Sequence, residues 1–284
     1  MEALAGAWDV AGARVGASAF ARPAFALAHA TAFPPVAVHV LYRDGELVAA
    51  LPLVRRDRLT RVWASATNEH VPIGDFAICG DLREVGVRVL QHLLDGTDVV
   101  LLSRLPADGA AARAFRAAAM DLGVAVTTAD AGVDTYLRLG PWSEFEARIP
   151  RKLRKSVRVH LARLERTGVV RFRRIAGGPE LGPALEECFA VEAAGWKGAA
   201  GSPITRHPAT HRFYSELAVR ASAFGQLALY VLEVNGTIIA FKLCVRASGR
   251  CDSLKTSYRP EWAAYGPDAK LIVTAFTDGI VQGT

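Results

Sequence analysis

The sequence has no run of the roughly 18 apolar residues that a membrane span needs, although 51% of its 284 residues are hydrophobic. It also lacks the basic-then-apolar order of a secretory leader, since MEALAGAWDVAGAR carries Glu2 and Asp9 instead. Cysteine is scarce. Cys79, Cys188, Cys244 and Cys251 form no CxxC and have no histidine at metal-ligand spacing, so neither a zinc site nor a disulfide framework is indicated. His207 and His211 stand four apart on an expected helix, but no Glu motif lies near to complete a metal set. These absences lead us to expect a cytoplasmic protein with reduced thiols, no membrane span and no metal.

Acidic residues are missing from one stretch in particular. Arg151 to Arg166 holds seven basic residues against one acid, Glu165. This segment alone carries +6, the net charge of the whole chain, and the remainder is close to neutral. A general nucleic-acid surface would spread its basic residues over a face. Leu153, Val157, Leu161 and Leu164 give the segment a helical apolar stripe, and Gly168 is a natural C-cap. Its charges are either a solvated helix face between two domains or an electropositive rim for an anionic ligand.

What the sequence does contain is a repeat. VLYRDGELVAALPLVR, residues 40–55, lies over VLEVNGTIIAFKLCVR, residues 231–246, without a gap and with six of sixteen positions identical. Each copy sets a tight-turn dipeptide, Asp44-Gly45 or Asn235-Gly236, between apolar β-branched runs, the signature of a hairpin. Ser248-Gly249 marks a further turn, into a strand from Cys251 to Tyr258. Each copy continues to a third strand, an irregular loop and an amphipathic helix, so the chain is expected to be two copies of one α/β unit.

The other elements follow from periodicity. A helix is expected near Ala17 to Thr31, and a third strand at Thr60 to Ala66 followed by the loop Asn68 to Gly80. Leu82, Val85, Val89, Leu90, Leu93 and Leu94 form a helical stripe. Val99 to Leu105 has the continuous apolar character of a buried, parallel strand. After a helix at Ala110 to Leu122, short strands at Val124 to Thr128 and Thr135 to Leu139 close the first unit. The second unit is expected to comprise a strand at Val169 to Ile175, helices at Pro179 to Trp196 and His207 to Phe224, the meander, and a last helix at Pro267 to Ile280.

PRKLRKSVRVHLARLERTG, EAAGWKGAAGSPI, RFYSELA, LYVLEVNGTIIAFKL and LKTSYRPEWAAYGP, taken in order, resemble the acetyltransferase domain of the GNAT superfamily found in CelD/BioF-like proteins. That family is related to the Fem-type aminoacyl transferases, which also carry two GNAT-like units. The resemblance covers most of residues 36–280, with GWKG and the following Gly-Ser-x-Ile as its most specific piece. It implies an α/β fold of tandem GNAT-like units, each a mixed, mostly antiparallel sheet flanked by helices. Residues 1–140 would form a degenerate unit, 141–168 a basic helical linker and 169–284 the catalytic unit. The second copy reaches Thr284 before the strand that follows the helix in the first, so either the chain is truncated or the catalytic half is incomplete.

The implied activity is N-acyl transfer from acyl-CoA, or a similar carrier, to an amine on a small molecule, carbohydrate or peptide. In GNAT folds the thioester carbonyl meets backbone NH groups of a bulged fourth strand, here Asp252 to Tyr258. The pyrophosphate sits on the Gly-rich loop that follows, here Gly266, Pro267, Asp268, Ala269 and Lys270. Asp268 departs from the family's glycine and places a carboxylate where phosphate would approach; Lys270 partly offsets it. Glu192 is a candidate base or acceptor-binding carboxylate, and Tyr258 a candidate acid for the leaving thiolate. Trp196, Lys197 and Lys255 are candidates for substrate binding. A helix-surface Glu, a snorkelling Lys and a packing Tyr are the structural alternatives. Asn68, Glu69 and His70 belong to the unit expected to be degenerate. Two other functions stay open: a Fem-type transferase using aminoacyl-tRNA, with the basic helix on the RNA, and an inactive interaction module.

Overall fold

The fold comes from a computed structural model that describes residues 1–56, 61–138, 140–195 and 204–268. The repeated hairpins form as expected. Val36–Arg43 (β1) pairs antiparallel with Glu46–Arg55 (β2), and Leu227–Val234 (β7) pairs antiparallel with Thr237–Ala247 (β8). Asp44 and Gly45 have φ of 52° and 80°, and Asn235 and Gly236 have 53° and 82°. Such a pair of positive values matches the right-handed twist of the flanking strands. The likeness extends to a defect. Leu41 faces Ala49 and Tyr42 faces Leu47, leaving Val48 as an extra residue; Leu232 faces Ala240 and Glu233 faces Ile238, leaving Ile239. Val48 and Ile239 are equivalent positions of the repeat.

Chain contacts divide the molecule into two compact units, Met1–Val133 with Arg212–Arg220, and Asp134–His211 with Ala221–Thr284. In the first, β2 also pairs antiparallel with Val62–Ser65 (β3) and Ala77–Ile78 (β4), and β3 pairs parallel with Val99–Leu101 (β5). Helices cover both faces of this mixed sheet. Glu2–Arg14 (α1) and Pro23–Ala32 (α2) bring Trp8, Ala11 and Ala26 onto Leu47, Ala50 and Ala77. Leu82–Leu94 (α3) and Ala110–Asp121 (α4) bring Val85, Val89, Leu93 and Ala114 onto Leu51, Leu53 and Ile78. Asp81 caps α3 by accepting from the Arg83 and Glu84 backbone NH groups at 2.9 and 3.1 Å.

The second unit begins with Trp142–Arg148 (α5) and the basic helix Arg151–Glu165 (α6). Val170–Ile175 (β6), β7, β8 and Arg250–Tyr258 (β9) then form an antiparallel sheet in that spatial order. Leu181–Ala194 (α7) packs against β8 and β9. Leu164 of α6 and half-buried Trp262 and Tyr265 cover the opposite face, over Tyr230, Leu232, Ala240 and Cys244. Pro208–Ala223 (α8) precedes the meander. No described helix is long and apolar enough to cross a membrane.

Three expectations need correction. β5 is parallel as expected, but it spans three residues and is exposed, with Val99 at 50% and Leu101 at 39%. It is the last strand of its sheet, and an apolar run cannot say whether a further strand covers it. Residues 124–128 and 135–138 form no strand because nothing pairs with them; Leu139 lies outside the described residues. α1 was not expected, because its Ala- and Gly-rich sequence lacks a strong apolar stripe. Of the last helix only Pro267 and Asp268 are described.

Gly45 and Gly236 have open space where a Cβ would stand, so alanine there meets only backbone strain. Gly45→Ala and Gly236→Ala should each cost about 1 kcal/mol, by equal amounts in denaturant unfolding. A clearly larger loss at one would show that the two turns are not equivalent.

Candidate functional site

The site residues gather around β9. Leu243 faces Lys255 and Cys244 faces Ser253, so Leu254 is an extra residue that bulges the strand. β9 is the last strand of the sheet, and among the described residues no strand pairs with its outer edge. Lys255 and Ser257 stand on the face of Leu243 and Phe241, whereas Tyr258 stands on the opposite face with Ala240.

On the first face, α7 brings up Glu192, which is fully buried. The Ile204 backbone NH donates to Glu192 Oε2 at 2.8 Å. Lys255 Nζ lies 3.7 Å from Oε1, with its side chain 16% exposed. The carboxylate thus ties the end of α7, the return of the chain at Ile204 and the bulged strand into one cluster. Gly195 ends α7 close to β9: a Cβ there would approach Ser257 Oγ to 3.2 Å. The buried position of Glu192 differs from the helix-surface alternative.

On the other face, Tyr258, Trp262 and Tyr265 pack against one buried cluster that includes Tyr230, Leu232 and Ala240. The 3-10 turn Pro260–Tyr265 is anchored by Arg259, whose backbone NH and Nε donate to the Ile239 and Ile238 carbonyls at 2.8 and 3.0 Å. The turn ends at Gly266 in the left-handed region, φ 55° and ψ 51°, where a Cβ would collide with His160 Nδ1 of α6 at 2.9 Å. The Arg163 guanidinium lies 5.5 Å from the Tyr265 ring centroid. The basic helix therefore packs directly beside the loop at Gly266, Pro267 and Asp268. None of the arginines and lysines of α6 forms an ion pair among the described residues.

The structure thus brings Glu192 together with Lys255 on one face of the edge strand, and places Tyr258 on the opposite face, against the same core as Trp262 and Tyr265. Trp196, Lys197, Ala269 and Lys270 lie outside the described residues. Ser257, Gly195, His160 and Arg163 were not anticipated. The odd spacing of Lys255 and Tyr258 already implied opposite faces, but no sequence signal ties His160 to Gly266. In the first unit, Asn68 Oδ1 accepts from the His70 and Val71 NH groups at 2.7 and 2.9 Å. His70 Nδ1 is 3.2 Å from Tyr214 Oη, Nε2 is 3.2 Å from Glu69 Oε1, and the ring stacks on Phe33. These contacts shape the loop that follows β3. No group of three or more His, Cys, Asp or Glu among the described residues could hold a metal ion.

Comparison with known proteins bears on this geometry. Residues 151–284 match the family model of an acetyltransferase (GNAT) domain. The fold is similar to that in the crystal structure of FemX, with a TM-score of 0.62 at 12% identity over 94% of this chain and 82% of that one. No curated protein sequence matches the chain. The overall architecture is thus FemX-like, and its residues 151–284 match a GNAT domain.

Removing the Glu192 carboxylate takes from the largely buried Lys255 ammonium the counter-charge that lies 3.7 Å away. Glu192→Ala should cost about 3 kcal/mol, and Glu192→Gln less, because its amide oxygen still accepts from Ile204. Denaturant unfolding checks both; a loss below about 1 kcal/mol in the alanine variant would dismiss a structural pair.

Proposed function

We propose that the chain is an N-acyltransferase of the GNAT type, moving an acyl group from acyl-CoA to an amine acceptor in polysaccharide or cell-envelope metabolism. The observation that carries this reading is the match of residues 151–284 to GNAT acetyltransferase domains, over the span that holds the bulged, open-edged β9 and the Gly266 loop.

In this reading the thioester lies along the outer edge of β9, where backbone NH groups near Leu254 polarise its carbonyl and hold the oxyanion. The neutral amine attacks the carbonyl carbon, the C–S bond breaks, and Tyr258 gives its phenol proton to the leaving thiolate; the amine nitrogen sheds its extra proton to solvent, which reprotonates Tyr258. Lys255, with Trp196 and Lys197, contacts the acceptor. Glu192 is fully buried with one oxygen committed to Ile204, so we assign it to orienting Lys255 rather than to taking the amine proton directly. Gly266, Pro267, Asp268, Ala269 and Lys270 meet the pyrophosphate, and the cations of α6 counter Asp268.

A second reading is a Fem-type transferase that takes its acyl group from aminoacyl-tRNA. The FemX-like fold and the six arginines and lysines of α6, which form no ion pair among the described residues, favour it. Affinity for tRNA that falls steeply with added salt would support this reading, and a flat salt response would remove it.

The test of the first reading is calorimetric titration with acetyl-CoA, longer acyl-CoAs and free coenzyme A at low and high salt. Asp268→Gly should tighten coenzyme A, because a carboxylate beside the pyrophosphate repels it. Arg154→Glu with Arg158→Glu should weaken it by about 1 kcal/mol or less per lost exposed contact. Loss of binding on Asp268→Gly would place the phosphates elsewhere.

A further inference from the structure

The cysteines are free, and two of them meet in the β8–β9 hairpin. Cys244 faces Ser253 and Arg246 faces Cys251, so the two thiols lie on one diagonal of the same face. They share a hydrogen bond. Their settings differ sharply: Cys244 is fully buried, while Cys251 is exposed among the described residues, as the second residue of an edge strand.

The electrostatics divide the pair in the same sense. The hydrogen bond from Cys244 holds the Cys251 thiol below its ordinary range; burial opposes this, Arg246 and Lys242 reinforce it and Asp252 counters it. Cys244 is pushed well up, first by that hydrogen bond and then by burial. The other two thiols have no such partner. Cys79 is buried, donates to the Ala11 carbonyl at 3.4 Å and is pushed up by desolvation. Cys188 is fully buried and pushed up for the same reason.

We propose that Cys251 is a peroxide-reactive thiol and that Cys244 is its resolving partner, so that oxidation closes a disulfide within the β8–β9 hairpin. The oxidant is a small hydroperoxide. The Cys251 sulfur attacks the O–O bond, becoming a sulfenic acid while the peroxide leaves as an alcohol or water after taking a proton. The Cys244 sulfur then displaces the hydroxyl, forming the S–S bond and releasing water. Two thiols are oxidised and one peroxide is reduced. Diagonal neighbours stand farther apart than a disulfide spans, so closure draws the strands together at the end of the hairpin. The bulge at Leu254 gives β9 freedom to take up that shift, which carries Lys255 with it. This proposal is independent of the acyl-transfer reading.

The experiment treats the native full chain with equimolar hydrogen peroxide, alkylates it with iodoacetamide and maps tryptic peptides by mass spectrometry. Cleavage separates the segment 243–246 from 251–255, so a disulfide appears as these two joined with the loss of two hydrogens. In the untreated chain Cys251 should react with a thiol reagent at least about tenfold faster than Cys79 or Cys188. Cys251→Ser should abolish the joined peptide. Cys244→Ser should leave Cys251 as a sulfenic acid that dimedone traps; if that variant does not fold, the product from the native chain still decides. Oxidation of Cys251 to sulfinic acid with no link to Cys244 would overturn the proposal, and so would labelling no faster than at the buried cysteines.

Discussion

Because a strand sends alternate side chains to opposite faces, one inserted residue reassigns every side chain beyond it. Leu254 is that residue in β9. Before it, Cys251 and Ser253 stand on the face of Cys244; after it, Lys255 and Ser257 stand on the face of Leu243 and Phe241. Without the bulge Lys255 would share the face of Ser253, away from Glu192. The ammonium then could not reach the carboxylate, and the tie between α7, Ile204 and β9 would lose its third member. A backbone irregularity of one residue thus determines which charges meet.

The repeated hairpins were legible because their signals are local: a dipeptide that tolerates positive φ, set between β-branched runs. The shared bulge at Val48 and Ile239 was not, since both residues are ordinary strand formers and the irregularity lies in the pairing. The same limit applies to Leu254. The sequence pointed to Glu192 and Lys255 separately, but strand parity could not join them without knowledge of the bulge. Residues 124–128 and 135–138 failed for a related reason: β-branched composition supplies half of a strand, and its partner supplies the rest. The packing of His160 on Gly266 depends on how α6 crosses the sheet, which no periodicity encodes.

Charge is handled in two ways within the second unit. Glu192 and Lys255 are withdrawn from water and must be paired there, since an isolated buried ion costs far more than a pair returns. The cations of α6 lie at the surface, apart from the half-buried Arg154, and their self-repulsion is screened over about 10 Å at moderate salt. A buried pair is therefore suited to fixing geometry, and an exposed ridge to attracting what carries the opposite sign.

The concentration of charge on α6 makes bulk properties a poor guide to behaviour at interfaces. The sequence isoelectric point of about 9.3 describes a molecule whose positive excess occupies a single helix, about 22 Å long at 1.5 Å per residue. On an anionic resin, membrane or gel the protein is not a uniformly basic sphere: it adsorbs in one orientation, with α6 against the support. Its retention then follows the ionic atmosphere around that ridge rather than the mean charge, and an immobilised preparation presents the opposite side to solution.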